Sequence, residues 1–291
     1  ATTAVGYKAL TALTTGAGNL AVGYNSGALI TTGASNTILG HGAMDATPVA
    51  ATGNVAIGTN SMGGASSAQS ASNYNVSIGT NSMAAVLNGA GGNVAIGYEA
   101  LNDLTTGDES VVIGFEAGDA ITTQSTMTLV GHRAGSAIND NAANGTVAVG
   151  TSALKALTSG AGNTAVGYQS GLSIVDGEQN TFLGHLSGDK LVDGDSNTAI
   201  GYKAMWNTDA LGGTADGSNN NVFIGALSGS GDWSNALSNT NTFVGASSGM
   251  GALNGASSNT GMGYAALEIL TTGDYNVAIG QGSGDVITTG V

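Results

Sequence analysis

Residues 163–179 read Asn163-Thr-Ala-Val-Gly-Tyr-Gln-Ser-Gly-Leu-Ser-Ile-Val-Asp-Gly-Glu-Gln179, and Asn180 then starts the same phrase again. Its opening core, Asn-Thr/Val-Ala-Val/Ile-Gly, begins at residues 2, 19, 36, 54, 75, 93, 110, 127, 146, 163, 180, 197, 221, 241, 259 and 276. The commonest spacing is 17 residues. Self-similarity at a short fixed period is the signature of a solenoid, because one such unit cannot bury its apolar face alone and must stack on its neighbours. The chain is therefore expected to be all-β: one continuous β-solenoid, a β-roll of sixteen coils spanning 1–291. Each coil should hold two short strands, one over the core and one at the Thr-Thr-Gly segments of 14–16, 105–107 and 271–273, closed by a glycine turn.

Numbered along the coil, position one is Asn in twelve units, among them Asn93, Asn163 and Asn276. A buried Asn at this register suits a ladder of side-chain amides running along the stack, and it equally suits a polar turn. Position two is β-branched except at Leu20, and position four is aliphatic throughout, so these two are expected to face the core. Position three, mostly Ala but Phe at Phe182, Phe223 and Phe243, then faces outward by strand alternation. An apolar residue on both faces implies cover on both, and a second copy of the chain is the expected cover. Position five is Gly in every unit, including Gly6, Gly23, Gly97, Gly167 and Gly280, which points to positive φ or a backbone approach too close for a Cβ.

Fifty glycines, one proline and 8% charged residues exclude an average globular composition, while 41% hydrophobic residues exclude simple disorder. Lys8, Arg133, Lys155, Lys190 and Lys203 are the whole positive complement against a net charge of −14. Nucleic acid and anionic membranes are thereby set aside, since affinity for phosphate rests on Lys and Arg. Without cysteine there is no disulfide framework or thiolate metal site, and no apolar run is long enough to span a bilayer. Coils at strand spacing would form a rod on the order of 75 Å long. Neither end carries a polar capping unit, which reads as a segment of a longer chain or a subunit that stacks end to end.

The motif from Asn163 to Gln169, with its relatives Asn93 to Tyr98 and Asn276 to Gly280, resembles the head repeats of trimeric autotransporter adhesins. It is similar also to the repeat regions of bacteriophage and other viral tail fibres. The resemblance implies a left-handed β-roll and three chains packed about one axis through apolar faces. It further implies an outer surface that binds host matrix, cells or glycans, in an extracellular, cell-surface or virion setting. The dominant period is longer than that of the shortest adhesin heads, and these residues contain no heptad stalk or membrane barrel.

Candidate chemistry is sparse. His41, His132 and His185 each follow the core glycine, where other units carry Tyr. Within one chain they lie about 24 and 14 Å apart at strand spacing, too far to share a metal. A trimer could gather three copies of one His on its axis; the plainer reading is that His replaces Tyr in a stack. Asp176 and Asp193 share a register, but the calcium-binding nonapeptide is missing. No Ser/His/Asp set, carboxylate pair or phosphate-binding loop emerges, and the hexapeptide period of β-helix acyltransferases is absent, so neither enzyme nor cofactor is expected. The two longest adjacent insertions carry Trp206 and Trp233, candidate platforms for a sugar or a protein partner if exposed.

These readings converge on an adhesive or structural fibre segment, its partners being further copies of itself and a host-surface glycan or protein. End-to-end filament assembly is the alternative. Ice binding through the Thr-Thr-Gly rows is a third reading, weakened where Val-Asp-Gly interrupts them at 175–177 and 192–194.

Overall fold

The computed structural model describes residues 1–46, 50–64, 71–208, 217–233 and 236–290. Among these the protein is a β-solenoid of three-residue parallel strands, with a single 3-10 turn at Asn141–Ala143. Two compact units are distinguished, residues 1–145 and 146–291. The first holds β1 Thr3–Val5, β2 Leu20–Val22, β3 Thr37–Leu39, β4 Val55–Ile57, β5 Val76–Ile78, β6 Val94–Ile96, β7 Val111–Ile113 and β8 Thr128–Val130. The second holds β9 Val147–Val149, β10 Thr164–Val166, β11 Thr181–Leu183, β12 Thr198–Ile200, β13 Val222–Ile224, β14 Thr242–Val244, β15 Thr260–Met262 and β16 Val277–Ile279. Within each unit every strand pairs in parallel with the next in chain order, position upon position: Thr164 on Thr181, Ala165 on Phe182, Val166 on Leu183. The sequence alone reads as one uninterrupted array; the division falls where position one loses its Asn, at Ser110, Met127 and Thr146.

Two expectations are corrected. The Thr-Thr-Gly segment is no second strand. Thr14 and Thr15 both donate their N–H to the same carbonyl, Thr31 O, at 2.7 and 3.3 Å, so no alternating ladder develops before the glycine corner. The faces of the one strand are also reversed. Position three points inward: Ala21, Ile38, Leu129 and Phe182 are fully buried, whereas Leu39 and Leu183 at position four stay 47% and 45% exposed. The cross-section explains this. A coil this narrow has room at mid-strand for one side chain, usually Ala, because position nine also projects Leu, Met or nothing into the same space.

The residues at positions three and nine are fitted to each other. Leu101, Leu154 and Met205 at position nine accompany Ala95, Ala148 and Ala199 at position three. Where position three is Phe, position nine is Gly: a Cβ on Gly188 would run into the Phe182 ring, one on Gly229 into Phe223, and one on Gly249 would meet Phe243 at 2.8 Å. Each buried Phe removes apolar surface worth about 3 kcal/mol from water.

Corners rest on left-handed backbone. Gly167 has φ +141°, and a Cβ there would collide with the carbonyl oxygen of Gly184 in the next coil, so both conformation and space demand glycine. Non-glycine residues adopt the same region nearby, as Leu154 (φ 48°) and Gln169 (φ 51°) do, each against about 1–2 kcal/mol of intrinsic strain. Stacking holds them: Leu154 N donates to Ser170 O at 3.0 Å and Gln169 N to Thr151 O at 2.9 Å.

The position-one asparagines are bonded in series, and all but Asn276 are buried. Asn180 donates its backbone N–H (3.0 Å) and its Nδ2 (3.1 Å) to Asn163 Oδ1, and the same Nδ2 reaches Gly194 O at 2.7 Å. Its own Oδ1 receives the backbone N–H and the Nδ2 of Asn197. Asn93 repeats the arrangement on Asn75 Oδ1 and Gly107 O in the first unit, and Asn276 on Asn259 Oδ1 in the second. Every polar atom of such a side chain is satisfied inside the coil, which is what allows a buried amide without a desolvation penalty.

Candidate functional site

With position three turned inward, the outward strand face consists of positions two and four. In the first unit Val5, Val22, Leu39, Ile57, Ile78 and Ile96 continue through Ile113 and Val130; in the second Val149 continues through Ile279. Beside this column run Thr, Val and Leu20 at position two, and no ionisable side chain stands at either position in any coil. Packing along the column leaves these side chains half-buried, with Leu39, Leu183 and Met262 nearly half exposed. A stripe of aliphatic side chains this regular is an association surface in waiting, since monomeric proteins rarely leave long contiguous apolar patches in water.

Past the glycine corner, position six carries stacked rings. Tyr7, Tyr24 and His41 lie face to face at 5.4 and 5.0 Å between centroids, Tyr98, Phe115 and His132 at 5.0 and 5.5 Å, and Tyr168, His185 and Tyr202 at 5.1 and 5.5 Å. Coil spacing sets the distance, and offset stacking adds to it. Each histidine thus sits where the sequence pattern places it, between or beside aromatic rings. Among the described residues no group of three or more His, Asp or Glu is arranged to hold a metal ion. Asp176 and Asp193 are both exposed.

The tryptophans do not form the exposed pair that the insertions suggest. Trp233 is fully buried, tilted against Phe223 at 5.3 Å, so the loop folds it back onto its own core and it offers no platform. Trp206 is half-buried; its Nε1 donates to Asp189 Oδ2 at 3.2 Å, and the Lys203 ammonium sits 3.7 Å from its ring centroid. One face of that ring is already occupied by a cation, an arrangement that stabilises the insertion. Insertion residues 209–216 and 234–235 lie outside the described residues.

A row of acids went unread in the sequence. Asp45, Asp119 and Asp189 stand nine residues after Asn36, Ser110 and Asn180, at one shared register, where most coils carry uncharged residues. Burial pushes all three carboxyls above the usual carboxylate range. For Asp189, the nearby Lys190 ammonium at 3.6 Å and the Trp206 indole work against that rise without cancelling it. Their common offset was the available signal, hidden because Asn, Lys, Leu and Trp occupy the same register elsewhere.

Compared with known families and curated proteins, the chain matches no family model and no curated sequence.

Proposed function

We propose that this chain is a structural and adhesive segment of an extracellular or virion fibre, assembled as a homotrimer through the outward strand face. The observation that carries the reading is the uncharged aliphatic column at position four, present in all sixteen coils. A chain of net charge −14 repels its own copies wherever acidic side chains meet, so self-association has to use a face that carries none, and this face does. The column also repeats at strand spacing along each unit, and the surface that matches such a repeat coil for coil is another array of the same kind. On this reading the rings of position six line the border of the contact, the corners and insertions point away for display, and the segment itself performs no catalysis.

Light scattering on the folded chain, with negative-stain imaging of the same sample, tests this. Discrete trimers are expected. A monomer at micromolar concentration in mild buffer overturns the assembly, and unlimited filaments would replace it with end-to-end stacking.

A further inference from the structure

Three consecutive coils of the first unit close side by side, and the middle one closes on glycine. Their last two positions carry Asn73 and Tyr74, then Gly91 and Gly92, then Asp108 and Glu109. Backbone bonds keep them in register, Gly92 N donating to Asn73 O at 3.1 Å and Glu109 N to Gly91 O at 3.0 Å. The outer two coils are two strand spacings apart, about 9.6 Å. With no side chain on the coil between them, a cleft of about 400 Å³ opens, bounded by Tyr74, Asn73, Asp108 and Glu109 and floored by the glycines. That spacing leaves room for one ring-shaped group.

We propose that this cleft binds a neutral pyranose ring of a glycan, with Tyr74 packing on the sugar and Asp108, Glu109 and Asn73 bonding its hydroxyls. It gives a ligand class to the display role above and rests on that reading for its biological setting alone. Two of the polar side chains are anchored by backbone: Asp108 Oδ1 receives Gly91 N at 2.7 Å and Asn73 Oδ1 receives Thr52 N at 2.8 Å. Among the described residues, Asp108 Oδ2, the Glu109 carboxylate and Asn73 Nδ2 have no partner and are left for a ligand. The carboxylates accept only, and the amide nitrogen donates only. A ligand that satisfies both must donate at several points and accept at another while offering an apolar face to the Tyr74 ring, which is 69% exposed. A pyranose does all three, its vicinal hydroxyls donating and accepting and its ring C–H groups forming the apolar face. An ammonium cannot accept, and an anionic sugar meets two carboxylates with no basic side chain among the described residues that line the cleft.

The test is saturation-transfer NMR on the full chain with the methyl pyranosides of glucose, galactose and mannose, alongside choline and N-acetylneuraminic acid. Gly92→Asn is the decisive variant. Its φ of +70° is one that Asn tolerates, an added Cβ would meet Glu109 Cγ at an ordinary 3.7 Å, and Ser35 and Asn220 already occupy this register in other coils. It should fold, with an unchanged circular dichroism melt, and fill the cleft. The expected result is binding of at least one methyl pyranoside, weakened about tenfold or more by Gly92→Asn and by Tyr74→Ala. No pyranoside signal, a signal that survives Gly92→Asn, or preference for choline or N-acetylneuraminic acid overturns the assignment. The native mass is measured separately, so a trimer without sugar binding sinks only the cleft, and a sugar-binding monomer sinks only the assembly.

Discussion

At the scale of single residues the solenoid depends on side chains that recur because the coil above and the coil below both need them. Asn180→Ala leaves the backbone N–H of Asn197 and the carbonyl of Gly194 without their amide partner in a dry interior. A loss of about 3 kcal/mol is expected in denaturant melts. Asn276, only part-buried, should cost less when replaced by Ala; equal losses at the two sites would mean that the amide row is not what stabilises the coil. Gly167→Val should unfold its coil outright, because the left-handed φ and the Gly184 carbonyl both refuse a branched side chain.

The acid row also belongs to this scale. Because burial raises the Asp189 pKa above the ordinary value of 3.8, the folded state holds that proton more tightly than the unfolded chain does. The stability it contributes is complete below the ordinary carboxylate range and is lost as pH rises through the raised value. Acidification from neutral pH should therefore raise the melting temperature, and relief of self-repulsion among nineteen acidic residues acts in the same direction. Asp189→Asn keeps an acceptor for Trp206 Nε1, so it should be more stable than the parent at neutral pH and gain less on acidification. A variant that gains as much as the parent would remove Asp189 from the account.

At the scale of the coil, stability comes from complementary volumes. Gly188→Ala drives a methyl group into the Phe182 ring and should cost about 1–3 kcal/mol. Phe182→Leu alone opens a void. Combined, the two should cost less than their sum by about 1 kcal/mol, and thermal melts of the four proteins in the cycle measure this directly. Strict additivity would show that positions three and nine do not compete for one space.

At the scale of the molecule, an uncharged stripe on an acidic chain has to be covered or tolerated. Ile96 and Ile200 are half-buried in the outward column, on the strand face opposite the core, so Ile96→Asp and Ile200→Asp should leave the circular dichroism spectrum intact. In a trimer the same carboxylates would be buried against their own kind, and light scattering should show the assembly reduced to monomers. Assembly that persists in both variants would place the contact on another face.

Repetition made the architecture legible. The Gly of position five, the aliphatic residue of position four and the 17-residue spacing recur so regularly that parallel coils stacked in register account for them, and within each unit the structure has those coils in that register. The face of the strand was not legible, because alternation says only that neighbours point opposite ways. Which set faces in depends on the width of the coil, and that width is set by what position nine projects into it, Leu154 beside Ala148 or the bare Gly188 beside Phe182. Trp233 was misplaced for a related reason: an aromatic residue in an insertion reads as exposed until Phe223 is seen to offer it an apolar bed. Position within the coil was written in the sequence by period alone. Inside and outside were decided by tertiary packing, since burial is a property of what a side chain meets across the coil and not of its neighbours along it.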